Sequence, residues 1–275
     1  IFPNDYNSEN SIKQMGSYPS KQFNFKPIGN RSIKHLDLYV TSLSEYQQTC
    51  YNDVISKIES DYEPELWKLM YKDNNDKDTT QYEDIESFSY SKIQTPIYAL
   101  TFSVQKGDNV YVGKQALKEV VQYMPSTKMY SYVQEERVFH MENIGKYSAK
   151  IRSVLDCIEN SNGIILIYSQ YLDSGLIPMA LALEEMGLSR LGESGNLLQQ
   201  ESSSSKKVKG KYAMITGDKQ YSVSNSKELQ IINHKSNVNG DKCKVVLISQ
   251  AGSEGIDFKH LRQVQILDPW FNLNR

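Results

Sequence analysis

The sequence predicts an α/β fold, a parallel sheet flanked by helices, preceded by a mainly helical region. Three observations predict it. From about residue 138 onward, short apolar runs of strand length alternate with stretches of helical periodicity, an order that lays strands side by side with right-handed crossovers on both faces. Glycines bound several of these segments, where strands and helices commonly stop. Residues 1 to about 135 lack this alternation and are rich in Tyr, Ser, Asn and Asp, with weakly patterned apolar positions.

In that first part, residues 44–57 read as a helix, because Tyr46, Cys50, Val54 and Ile58 stand four apart. Residues 65–71 continue in the same style. The polar, acidic stretch 72–86 (KDNNDKDTTQYEDIE) reads as a surface loop. A further helix is expected at 114–123. In the second part, residues 148–160 place Ile151, Val154, Leu155 and Ile158 at i, i+3, i+4 and i+7, with Ser148 as N-cap. Cys157 falls near that apolar face and is expected in the core. The run 164–168, too short for a helix and preceded by Asn162-Gly163, suits a strand buried on both faces.

A second helix is expected at 176–186, with Pro178 in its first turn and Gly187 near its end. Strands at 212–216, 244–249 and 263–267 and a helix at 226–234 complete the alternation. Residues 191–211 interrupt it with the low-complexity run Glu201-Ser-Ser-Ser-Ser-Lys-Lys. Its lysines, Lys206, Lys207, Lys209 and Lys211, suit either a solvated loop or phosphate contacts.

Bulk properties narrow the function classes. With 275 residues, 39% hydrophobic and 23% charged, the chain has the composition of an ordinary globular protein with room for one large domain or two small ones. No apolar run approaches the roughly 20 residues of a membrane-spanning helix, so no membrane partner is expected. A net charge of −2 gives no global attraction to nucleic acid, and such a partner needs a local surface. Cys50, Cys157 and Cys243 are far apart and odd in number; they suggest neither a zinc site nor a disulfide framework, and a reducing compartment is expected. His35, His140, His234 and His260 are isolated, with no second ligand at metal spacing. The opening Ile-Phe-Pro-Asn-Asp-Tyr carries neither an initiator Met nor a signal-peptide core and reads as part of a longer protein.

A parallel α/β sheet binds ligands beyond the carboxyl ends of its strands. Three expected strand ends carry small or polar residues: Tyr168-Ser169-Gln170, Thr216-Gly217-Asp218 and the segment from Ser249 to Asp257, SQAGSEGID. In the last, glycines and serines allow backbone N–H groups to approach a phosphate, and Asp257 offers an acceptor for a sugar hydroxyl. A tight structural turn accounts for that spacing equally well. No carboxylate pair, catalytic triad or cofactor fingerprint is present, which argues against a self-sufficient nucleotide- or sugar-processing enzyme.

The string LISQAGSEGIDFKHLRQVQILDPWFN resembles motif V leading into motif VI of superfamily 2 helicases and Swi2/Snf2-like translocases. Its Gly255-Ile256-Asp257 step is similar to the Gly-Ile-Asp of motif V, and Asp268-Pro269-Trp270 with Asn272 to the approach to motif VI. Upstream, GIILIYSQYLDSGLIPMALALEEMG resembles motif IV and its following helix. The stretch YSQYLDSGLIPMALALE is most similar to the helicase-like ATPases of large nucleocytoplasmic DNA viruses, the group of the poxvirus early transcription factor ATPase subunit and nucleoside triphosphatase I. The matching segments lie between about 138 and 275.

The resemblance implies a second RecA-like lobe over 138–275, ending within motif VI, and a connecting region over 1–137 that leads from a first RecA-like lobe of the same polypeptide. It implies that Gly255 and Asp257 sit at the ATP ribose, and that Ser169, Thr216 and Ser249 contact a DNA or RNA backbone. For Ser169 and Thr216, capping of strand ends is the competing reading. The arginine finger of the family is expected beyond Arg275. Magnesium and the ATP phosphates are expected on the first lobe, since the chain lacks G-x-x-x-x-G-K-[ST]. Gly113-Lys114 is a near miss, with Gly107 one position too far upstream and Gln115 in place of Ser or Thr. The implied activity of the full-length protein is that of an ATP-dependent helicase or translocase serving viral transcription or replication, alongside a viral RNA polymerase, in the host cytoplasm or the virion. This chain alone is expected to be inactive. The alternative is a noncatalytic RecA-like scaffold for nucleic acid or protein.

Overall fold

Apolar runs that alternate in facing, strand by strand, build a five-stranded, wholly parallel sheet at the centre of the computed structural model. Residues 41–61, 90–192, 195–199, 209–222, 225–253 and 255–268 are described, and those from Leu43 onward belong to one folded unit. The expected helix at 65–71, the loop at 72–86, most of the Ser/Lys-rich run and residues 269–275, with Trp270 and Arg275, lie outside the described residues.

Before the sheet come α1 (Glu45–Asp61) and α2 (Tyr90–Thr101). Two hairpins then flank a helix: β1 (Ser103–Lys106) with β2 (Asn109–Val112), then α3 (Gly113–Val120), then β3 (Val121–Met124) with β4 (Met129–Tyr132). The helix expected at 114–123 therefore stops at Val120. Val121 is extended, and Tyr123 leaves the helical register to pair with Tyr130. Cross-strand packing of aromatic and β-branched residues wins there over helical continuation. Next are α4 (Met141–Tyr147) and α5 (Ala149–Asn160).

The first part is tied to the sheet by polar groups at helix ends. Ser148 caps α5, accepting from Ile151 N–H at 3.1 Å while its hydroxyl donates to Thr101 O at 2.5 Å. The fully buried Gln47 side chain donates to Ala99 O and accepts from Ala149 N–H, both at 3.0 Å. These bonds satisfy free amides of the α5 N-terminus and join α1, α2 and α5.

The sheet then forms from β5 (Ile164–Tyr168), β6 (Leu188–Arg190), β7 (Gly210–Ile215), β8 (Val245–Ile248) and β9 (Leu261–Ile266), in the spatial order β6-β7-β8-β5-β9. Between β5 and β6 run a π-turn, Leu172–Leu176, and α6 (Ile177–Met186), which carries Pro178 in its first turn and ends on Gly187 at φ 104°. Between β7 and β8 lies α7 (Asn225–Ile232), and the short α8 (Gln250–Ser253) follows β8.

Period-2 facing divides the strands between two cores. Ile165, Ile167, Tyr212, Met214, Val245 and Leu247 face α5, α6 and the hairpins. Ile164, Ala213, Ile215, Val246 and Ile248 face α7 on the other side. Central β8 is buried throughout, as a strand covered on both faces must be. Edge strand β9 is half open: Val264 and Ile266 are 53% and 55% exposed beside partly buried Leu166 and Tyr168. Cys157 is only partly buried, because it lies at the margin of the stripe formed by Ile151, Val154, Leu155 and Ile158.

Candidate functional site

The carboxyl ends of three adjacent strands, β5, β8 and β7, open onto one groove of about 570 Å³ lined by Gln170 and Leu172, Thr216 to Asp218, and Ser249 to Ala251. A parallel sheet delivers all its carboxyl ends to one rim, and residues nearly 80 positions apart meet there for that reason alone. Glycines bring the turns together. A Cβ on Gly252 would lie 2.2 Å from Ile215 O, and one on Gly217 would lie 2.6 Å from the Ala251 Cβ. The β7 and β8 turns thus touch where any larger residue would hold them apart. Gly252 N–H donates to Ser249 O at 3.1 Å, so at this position the glycine serves packing between the turns.

Each expected nucleic-acid residue has a defined place. Thr216 and Ser249 both line the groove, yet both are nearly buried. The Thr216 hydroxyl donates to Asp218 O at 3.2 Å, accepts from Asp218 N–H at 3.3 Å and lies 3.1 Å from the Ser222 hydroxyl. Ser222, which sequence reasoning missed, also accepts from Thr216 N–H at 2.6 Å and donates to Met214 O at 2.7 Å. Ser249 N–H donates to Ile215 O at 3.2 Å, stitching β8 to β7. Ser169 is fully buried behind the groove rather than on its wall. Its hydroxyl bonds Asp268 Oδ1 at 2.5 Å and accepts from Tyr171 N–H at 3.1 Å.

Gly255 and Asp257 occupy the loop between α8 and β9, outside the groove lining. Gly255 has φ +74°, a left-handed conformation that favours glycine, and open space lies where a Cβ would project. Ile256 and Phe258 pack inward against the α7-side core while Asp257 is exposed. Asn233, just past α7, sets this alternation: its amide donates to Asp257 O at 2.8 Å and accepts from Lys259 N–H at 3.0 Å. The exposed Asp257 carboxylate is an acceptor open to solvent. Among the described residues no three His, Cys, Asp or Glu side chains gather in a way that would hold a metal ion.

Asp268 is the main site-region residue that sequence reasoning left without a role. It is 2% exposed, and burial pushes its carboxyl up to about 6, against the opposing pull of the Ser169 and Gln170 hydrogen bonds and of Lys150. The same burial pushes the Lys150 ammonium down, Asp268 opposing it.

With this geometry in place, likeness to known proteins becomes informative. No protein-family profile matches the chain. The "Termination factor NPH-I homolog" of African swine fever virus (isolate Tick/Malawi/Lil 20-1/1983) is 28% identical over 252 residues, covering 81% of this chain and 35% of the relative. The "Putative ATP-dependent RNA helicase L538" of Acanthamoeba polyphaga mimivirus is 31% identical over 150 residues, 54% of this chain and 27% of the relative. The chain is similar to helicase-like proteins of several large DNA viruses. The "Putative helicase 087L" of Invertebrate iridescent virus 3 adds a third virus, at 25% identity over 169 residues, 60% of this chain and 16% of the relative. The chain spans about a third, or less, of the length of these relatives. Among its described residues no helix is long and apolar enough to cross a membrane.

Proposed function

We propose that this chain is the second motor lobe, with the segment leading into it, of a nucleic-acid-dependent ATPase. On this reading residues 138–275 form the lobe and residues 1–137 connect it to a first RecA-like lobe of the same polypeptide. The observation that carries the reading is the convergence of three polar strand ends on one groove at the carboxyl rim of the sheet. Thr216 and Ser249 are assigned to the part of the groove wall that meets a DNA or RNA backbone, and Ser169 to the support behind it.

Gly255 and Asp257 are assigned to the ATP ribose, on a loop whose backbone Asn233 holds in place. ATP, bound between the lobes with magnesium on the first, supplies phosphoryl-transfer chemistry. This chain's part is to grip the nucleic acid and to close and open against its partner lobe, as other enzymes gate their sites by domain closure. The relatives' names support a role in viral transcription, termination among its steps, beside a viral RNA polymerase in the infected cell's cytoplasm or the virion.

A second reading, a noncatalytic scaffold, is favoured by one observation: no Lys or Arg lines the groove among the described residues, and Asp218 adds a carboxylate. Phosphate binding usually relies on cations. A groove-blocking charge separates the two. Ala251→Glu, on the exposed wall, is expected to weaken oligonucleotide binding by the chain about tenfold or more, a loss of at least roughly 1.4 kcal/mol. Unchanged affinity would move the nucleic acid elsewhere and favour the scaffold.

A further inference from the structure

Asp268 leaves β9 and reaches back to the exit of β5. Its Oδ1 lies 2.5 Å from the Ser169 hydroxyl, and its Oδ2 accepts from Gln170 N–H at 2.8 Å. Lys150 of α5 approaches from the other side and donates to Leu267 O at 3.2 Å. The π-turn at 172–176 completes the enclosure: a Cβ on Gly175 would stand 2.1 Å from Ser169 Oγ and 3.8 Å from Asp268 Oδ1. Beside it the Ser174 hydroxyl is buried without a hydrogen-bond partner. π-turns inside helices concentrate at functional sites.

A buried carboxylate is costly, and apolar residues of similar volume often serve stability equally well. Capping of the β5 end does not require it either, since the Ser169 hydroxyl already accepts from Tyr171 N–H at 3.1 Å. What Asp268 adds is a fixed direction for the Gln170 backbone, and Gln170 lines the groove. We propose that Asp268 is a positioning residue for the groove, holding the 169–172 turn in the attitude that receives a nucleic-acid backbone. The proposal rests on the nucleic-acid reading of that groove. It makes the exits of β5 and β9 one unit, so that a displacement of the chain leaving β9 is felt at the groove wall.

The test compares the native chain with Asp268→Asn and with Leu155→Ala, a buried core variant of α5 that makes none of the clip's hydrogen bonds. Labelled single-stranded and duplex oligonucleotides are titrated well below the melting temperature, and amide exchange is followed at Gln170 and Tyr171. Asp268→Asn is expected to lose about tenfold in affinity, as for one charge-assisted hydrogen bond, together with the exchange protection of Gln170. Leu155→Ala is expected to melt earlier with affinity unchanged. Equal affinity of Asp268→Asn and a binding-competent native chain would overturn the inference alone, as would a loss no greater than that of Leu155→Ala. No binding by the native chain would overturn the nucleic-acid reading and the inference with it. Should Asp268→Asn not fold, Gly175→Ala strains the same clip from its opposite side, and the same two outcomes decide.

Discussion

Glu184 and Glu185 stand side by side near the end of α6, and both are buried. Glu184 accepts from Leu197 N–H, Leu198 N–H and the Tyr212 hydroxyl at 2.6–2.7 Å, while Glu185 accepts from Tyr132 and Arg137. A helix of the composition IPMALALEEM reads as apolar with a charged end, and nothing in its spacing reveals that both carboxylates turn inward. Glu184→Ala would strand three donors, and a loss of about 3 kcal/mol is expected in denaturant unfolding.

Glu228 differs. It is buried with Oε2 lacking a partner, and burial raises its carboxyl to about 7, nearby Arg190 opposing the shift. A carboxyl raised by folding binds its proton more tightly in the native state, so stability falls as pH rises from the unfolded value near 4.5 through about 7. Glu228→Gln removes that cost. With screening allowed for, unfolding at pH 8 is expected to show a gain of about 1 kcal/mol, and at pH 4.5 no gain.

At the scale of elements, strands β5, β7, β8 and β9 and the helices α5, α6 and α7 were legible in the sequence because burial on a parallel sheet writes apolar runs and clean stops, whereas the three-residue edge strand β6 is too short to show a pattern and was not read. The Ser148 cap, Pro178 in the first turn of α6 and the Gly187 stop all stand where local chemistry places them. The two hairpins were not read. The first had a usable signal, a two-residue Gly107-Asp108 turn with Gly107 at φ +59°, joining strands whose ends pair Lys106 with Asn109. The second closes on Lys128 at φ 56°, a residue that no turn rule favours. The strand end at Ser249 was legible, but not the reason for the glycines that follow it. Gly252→Ala sets a methyl 2.2 Å from Ile215 O, so a loss of about 2 kcal/mol is expected from overpacking. A melting temperature equal to the native one would mean that the β7–β8 contact accommodates the added methyl. On β9, by contrast, the half-exposed Val264 and Ile266 contribute little burial. Their double replacement by Thr is expected to change stability by less than about 1 kcal/mol.

At the scale of the whole molecule, the site is a product of sheet order. Ser249 was expected at a ligand-bearing strand end and lies on the groove wall, whereas Ser169, expected beside it, is withdrawn behind that wall by Asp268. Sequence could point to the strand ends but not to which hydroxyls their own turns consume, because the partners lie up to 99 residues away. The central claim is that this lobe works in a nucleic-acid-driven ATPase, and its most direct test is the ATPase rate of the full-length protein. The rate is measured without nucleic acid and with single- and double-stranded DNA and RNA, for the native protein and Asp257→Ala. Stimulation by at least one of these polymers, lost by about tenfold or more in the variant, is the predicted result, a loss of roughly 1.4 kcal/mol or more in transition-state stabilisation. Folded protein with no ATPase activity under any of these conditions, or stimulation untouched by Asp257→Ala, would contradict it.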